Sequence, residues 1–375
     1  MKIKTESSFH GGYFMSKTIQ SFLGANTPMG FRSLFSELYN PYRDSRMYII
    51  KGGPGTGKSS FMKKVAKAAE SLDLDTERVY CSSDPKSLDA VIIPKLGLCL
   101  ADGTAPHVLE PLFPGASENI INLGNFWDRE KLYEKADPIR SVTIENSIFH
   151  RRSTKYLSAA GAISEDTRKI VQSCIDESKA ESFAQRFCSR EAPRIKGAGV
   201  GKINRRFLSG ITPDGIVFFD STVTTLASRV IGLVDEYSAV SGILIERIAQ
   251  TASKNGYDVI ACPCPMKPDE FEHIIIPKLS LALLTVKSSH VISVPFDRLI
   301  HARRFFTSDV LRDRKNRLAF GLKTADELTR ASIELLAQAK KTHDKLESFY
   351  KEAMDFKALD RFTEEFIDRE IYTRA

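Results

Sequence analysis

MYIIKGGPGTGKSSFMKKVAKAAESL, residues 47–72, decides the fold class. Met47 to Lys51 is a short apolar run suited to a buried strand. Gly52 to Gly57 is a flexible turn, and Phe61, Val65, Ala68, Ala69 and Leu72 recur at helical spacing. The order strand, glycine loop, helix predicts an α/β fold. Gly52-Gly-Pro-Gly-Thr-Gly57-Lys58-Ser59 also fits the phosphate-loop pattern G-x-x-x-x-G-K-[ST]. The chemistry explains that spacing. Glycines let successive backbone N–H groups curl round a phosphate, which then sits on the positive end of the helix dipole. Lys58 would reach the β and γ oxygens, and the Ser59 hydroxyl would ligate Mg²⁺. Gly52, Gly53, Gly55, Thr56, Gly57, Lys58, Ser59 and Ser60 are therefore the candidate nucleotide-binding residues. The alternative is a glycine-rich turn that binds nothing.

The rest of the chain is organised by an internal echo. AVIIPKLGLCL at 90–100 returns as HIIIPKLSLAL at 273–283, an offset of 183. Without gaps, that offset gives 15 identities over the 63 positions 46–108, among them Arg46 with Arg229, Cys81 with Cys264, Pro85 with Pro268 and His107 with His290. FLGANTPMG (22–30) answers FLSGITPDG (207–215) after a two-residue slip. The sequence reads as a tandem duplication, with a phosphate-loop domain over 1–200 and a degenerate counterpart over 201–375. Each module is expected to hold a parallel sheet flanked by helices and to carry a helical appendage.

In VIGLVDEYSAV, residues 230–240, the offset lays Asp235 to Gly242 over Gly52 to Ser59. Carboxylates stand where the first copy has its glycines, and two such charges would repel a triphosphate. The second copy is thus expected to bind no nucleotide in the usual way; the competing reading makes Asp235-Glu236 a water-activating acidic strand. In the first copy that strand is better sought at LGLCLADGTAPH (96–107), where Asp102 ends an apolar run and could hold Mg²⁺ through water. A plain turn Asp before Gly103 is the alternative. No glutamate follows Asp102, which disfavours hydrolases that use an Asp-Glu pair.

Ser82, Ser83, Asp84 and Asp102 are lost from the second copy along with the loop, whereas Pro94-Lys95-Leu96 and His107 are shared and read as fold. In CSSDPKSLD (81–89), Asp84 could orient a nucleophile or the metal's waters and Asp89 could hold an acceptor. The competing reading is a Ser/Asp turn capping the next helix, with Pro85 at its first position. TAPHVLEPLFPG (104–115) is expected to be a loop above the site, either a lid or a connection. Arg151-Arg152 and Arg303-Arg304 are surface pairs, one of which could supply a charge-stabilising arginine. Trp127 reads as core. Helices are expected over 164–187 and 324–354, the second opened by a capping box of Thr324 and Glu327.

Composition excludes several classes. The 375 residues, 42% hydrophobic and 27% charged, describe a globular chain long enough for two cores. No apolar run approaches a membrane span, and MKIKTESSFHGGYFMSK at 1–17 lacks the apolar centre of a secretory signal, so no membrane association and a cytoplasmic location are expected. Six scattered cysteines form no disulfide scaffold or zinc spacing, and Cys262 and Cys264 read as buried thiols. Nucleic-acid binding rests only on a net charge of +7.

The strings KGGPGTGKSS, CSSDPKSLD, IIPKLGLCLADGTAPHV and NLGNFWD, with the two FLxxxTPxG-like segments, resemble a poorly characterised bacterial family of tandem-repeat P-loop ATP-binding proteins, ATPase-like or nucleotide-kinase-like. The resemblance implies ATP and Mg²⁺ as ligands, with Lys58, Ser59 and Asp102 in the loop and acidic-strand roles. DEYSAVSG departs from the family, whose second copy often keeps a glycine loop. The expected function is Mg-ATP binding with slow hydrolysis through the first half, Lys58, Asp102 and Asp84 being the candidate catalytic residues. The alternatives are a small-molecule or nucleotide kinase, or an ATP-gated module that docks a small-molecule or protein partner on the second half.

Overall fold

In the computed structural model, which describes residues 17–39, 45–289, 291–307 and 310–375, successive residues of the central strands are buried on opposite faces. Met47 and Ile49 enter one apolar cluster, Tyr48 and Ile50 another, and all four are buried. A strand that is apolar on both faces has to be covered on both. The stretch 1–16 and His290, the expected partner of His107, lie outside the described residues.

The first half runs β1 (Thr18–Phe22), β2 (Gly24–Thr27), β3 (Gly30–Ser33), β4 (Arg46–Lys51), α1 (Lys58–Glu70), β5 (Thr76–Cys81), β6 (Asp84–Ile93), β7 (Leu98–Asp102), β8 (Glu118–Asn122), α2 (Arg129–Glu134), α3 (Ala136–Gln172) and α4 (Glu177–Glu191). The second runs β9 (Ile203–Arg205), β10 (Ser209–Thr212), β11 (Gly215–Phe218), α5 (Asp220–Leu226), β12 (Arg229–Val234), α6 (Ser241–Lys254), β13 (Val259–Cys264), β14 (Lys267–Ile276), β15 (Leu281–Val286), β16 (Arg298–His301), α7 (Val310–Asp313), α8 (Lys315–Ala353) and α9 (Phe356–Ile367). One sheet has the order β1-β5-β6-β7-β4-β8 and the other β9-β13-β14-β15-β12-β16, so every strand has a counterpart at the same place.

Both sheets are mixed, which corrects the parallel sheets expected from the sequence. β6 and β14 run antiparallel to both of their neighbours. The cause is connection length. Only Ser82 and Ser83 separate β5 from β6, and Pro94-Lys95-Leu96 with Gly97 at φ 57° turns β6 into β7. A parallel neighbour would need a crossover of about a dozen residues. CSSDPKSLD is therefore a hairpin and not a helix cap. Ser280, at φ 48°, takes the left-handed position of Gly97 in the second half.

Two helices cover the outer face of each sheet, while the short α5 joins the inner core through Val223. α1 and α9 pack on the first, α6 and α4 on the second. The inner faces contribute Ile49, Val79 and Ala101 from one side and Cys262, Ile275 and Leu284 from the other to a single shared core. Phe22 and Phe207 stitch the halves with reciprocal N–H···O bonds of 2.9 and 3.0 Å. Arg206 meets Glu77 across the same seam at 2.6 Å.

α3 and α8 lie antiparallel: the buried hydroxyls of Ser153 and Ser332 meet at 2.7 Å, and Asn146 Nδ2 donates to Ala339 O at 2.7 Å. α8 begins at Lys315, so Thr324 lies inside it and caps nothing. The helix expected over 164–187 is broken at 173–176, where Asp176 caps α4 by accepting from Lys179 N. The appendages are exchanged. Asp176 N donates to Phe305 O at 2.8 Å and carries α4 onto the second sheet; Asp355 N donates to Phe126 O at 2.7 Å and carries α9 onto the first. A division at residue 200 therefore does not follow the packing. All six cysteines are free thiols, and no described helix is long and apolar enough to cross a membrane.

Phe366 of α9 is buried against Tyr48 and Phe61 of the first lobe, with ring centroids 4.9 and 5.1 Å away. Phe366→Ala should cost about 3–5 kcal/mol in denaturant unfolding, although it is far from the first sheet in sequence. A value under about 1 kcal/mol would contradict the exchange.

Candidate functional site

β4 delivers the glycine loop to the N-terminus of α1. Gly55 at φ 69° and Gly57 at φ 92° are left-handed, which a residue with a Cβ rarely adopts. Gly57 is the N-cap of α1, and among the described residues no side chain accepts from the helix start. Lys58 Nζ donates to the carbonyls of Gly52 and Gly53 at 3.0 and 2.9 Å and lies 3.6 Å from Asp102 Oδ2. Thr56 Oγ1 donates to Gly53 O at 2.8 Å, Ser59 Oγ accepts from Leu88 N at 2.9 Å, and Ser60 is exposed.

Asp102 ends β7, which pairs directly with β4, Ile50 opposite Asp102. One of its oxygens accepts from the backbone and hydroxyl of Thr104 at 2.9 and 2.6 Å; the other faces Lys58. Beside it stands Asp89. Burial and then the Asp102 charge raise the Asp89 pKa to about 8. Burial also lowers the pKa of His107, which favours the neutral imidazole at pH 7. Asp84, the other expected acid, is tied to Ser87 at 2.8 Å and to Lys340 of α8 at 3.4 Å.

The helical arm comes down on this loop. A Cβ at Gly53 would stand 2.5 Å from the Tyr350 ring, and one at Gly55 would stand 2.7 Å from the Glu347 carbonyl. These glycines thus allow close approach of α8 as well as loop curvature. Lys340, Glu347 and Tyr350 could not be anticipated, because nothing in an amphipathic helix states which distant loop it will cover. His107 was read as fold; its closeness to Asp102 in sequence was the one available signal. Trp127 is half-buried on Tyr350 at 5.9 Å. Arg151 and Arg152 are exposed on α3, and Arg304 lies over the Phe183 and Phe305 rings of the second-lobe helical layer. Residues 104–115 do form a loop, with Val108, Leu112 and Phe113 exposed.

At the counterpart loop in the second lobe the anion comes from the chain itself. Asp235 Oδ2 accepts from Val240 N and Ser241 N, both at 2.8 Å, at the N-terminus of α6. Glu236 turns instead to Ser288. Over this lobe opens a cavity of about 1020 Å³, bordered by Arg168, Tyr237, Met266, Glu272 and Lys287.

No protein-family model, curated protein or solved structure matched this chain.

Two charge-assisted bonds at a helix start make Asp235 a structural group. Asp235→Ala should lower unfolding free energy by about 2 kcal/mol, and Asp235→Asn, which keeps an acceptor, by less. Equal stability of Asp235→Ala and the parent in urea would contradict that role.

Proposed function

We propose that the first lobe binds Mg-ATP and hydrolyses it slowly, and that the second lobe is its nucleotide-free counterpart, derived from one module by tandem duplication. The observation that supports this reading most is Lys58. Its ammonium lies between the Gly52 and Gly53 carbonyls and Asp102, at the start of a helix that no described side chain caps. A lysine there can exchange carbonyl oxygens for phosphate oxygens with little movement, and the uncapped N–H groups favour an anion. Mg-ATP would bring the phosphoryl group and the metal that offsets its charge. Ser59 and Asp102 are the residues suited to hold that metal. Gly103, not a glutamate, follows Asp102, and Asp84 is engaged by Lys340, so no free carboxylate among these groups is poised to activate water. Slow turnover follows from that.

One observation favours a second reading, an ATP-gated module. α8 touches the loop through Glu347 and Tyr350, while its start, at Gly321, packs on Thr167 beside the second-lobe cavity. A rearrangement at the loop would be felt along one helix as far as that cavity, which is large enough for a small molecule.

Lys58→Ala should abolish ATP binding in calorimetry, and the parent should release phosphate slowly. Unchanged affinity in Lys58→Ala would end the nucleotide reading. Binding with negligible turnover, accompanied by altered amide exchange along 340–350, would favour the gated module over the ATPase.

A further inference from the structure

Behind the glycine loop the first lobe buries two carboxyl groups beside a single ammonium. The β6–β7 ladder ends at Ala90 opposite Ala101, and just beyond it the Asp89 and Asp102 carboxyl groups come within 4.8 Å of each other. Their residues are 5% and 8% exposed, respectively. Like charges opposite one another in a sheet are unfavourable even at a surface, and burial strengthens the repulsion. Lys58, 3.6 Å from Asp102, supplies one positive charge, so the two groups can both ionise only if a second positive charge joins them.

A third group points to what balances them. His107 is 6% exposed, and neither of its ring nitrogens has a hydrogen-bond partner among the described residues. A buried donor or acceptor left in that state costs about 1–3 kcal/mol. The ring is nonetheless held firmly. It stacks on Phe35 with centroids 4.2 Å apart and planes 4° off parallel, and Lys51 fixes its loop by donating to Gly103 O and Leu109 O at 3.0 and 2.8 Å. One carboxylate oxygen each from Asp89 and Asp102 and one nitrogen of His107 all lie within 4.8 Å of one another.

The second lobe gives the contrast. At the 183 offset Glu272 replaces Asp89 and Thr285 replaces Asp102. A single carboxylate remains, and Lys287 pairs with it.

We propose that Asp89, Asp102 and His107 form a divalent transition-metal site behind the glycine loop. Two carboxylates with an imidazole nitrogen suit Mn²⁺, Fe²⁺, Co²⁺ or Zn²⁺, whereas Mg²⁺ and Ca²⁺ prefer an all-oxygen set. The site shares Asp102 with the nucleotide reading but needs no nucleotide, so either can fail without the other.

The test uses the full chain, stripped with chelator and free of nucleotide, titrated with Co²⁺ and followed by visible absorption, with Zn²⁺ as competitor. One Co²⁺ per chain is expected, displaced by Zn²⁺ and not by a comparable concentration of Mg²⁺. Asp89→Asn and His107→Gln should each weaken binding by at least about tenfold, the effect known even for partners one shell further out. Thermal unfolding of both variants checks that they fold, and the parent should melt higher with Co²⁺ than without. Lys58→Ala should retain the cobalt spectrum. Absence of stoichiometric Co²⁺ binding to the parent, or binding that survives both ligand substitutions in folded protein, would overturn the site.

Discussion

The N–H groups at the start of a helix have no partner within it, and the chain must settle what accepts from them. The two lobes settle this in opposite ways. In the second, Asp235 turns its carboxylate onto the backbone of Val240 and Ser241 and fixes the turn into α6. In the first, the corresponding position is Gly52, the start of α1 has no side-chain acceptor among the described residues, and Lys58 stands beside it. One scaffold thus presents a seat suited to an external anion and a seat filled by its own side chain. The functional proposal depends on that difference.

The scaffold keeps the difference in place by sharing its cores. Inner faces of both sheets meet in one cluster around Phe22 and Phe207, and each lobe's outer helical layer is completed by a helix from the other half. Neither lobe is covered by its own residues alone. The exchange also brings the end of α8 onto the glycine loop and the end of α3 towards the counterpart loop, where Ile170 and Val171 pack with Ala239. Each loop is thus in contact with a helix whose opposite end lies at the other lobe.

The strand–loop–helix unit was legible because Gly52 to Ser59 combines a steric requirement with two apolar periodicities, and β4 and α1 appear where those periodicities end. The 183 offset also carried over: β6 and β14 match residue for residue, as do the register breaks after Val79 and Cys262. The hairpin at Ser82-Ser83 was missed because Ser, Asp and Pro serve helix caps and turns equally well. The helix exchange was missed because apolar spacing names a buried face but not the surface that buries it. Asp235 was read correctly as a carboxylate in the loop's place, but its purpose emerged only with the backbone N–H groups around it. His107 was set aside because it has a match in His290; only the fold shows it beside two carboxylates.

A crystal structure with a nonhydrolysable ATP analogue and Mg²⁺ tests the asymmetry between the lobes most directly. Triphosphate density should lie against the backbone of 52–59 and Lys58, with the Asp235 carboxylate still on Val240 and Ser241 in the second lobe. Triphosphate seated at 235–242, or nucleotide bound away from both loops, would contradict it.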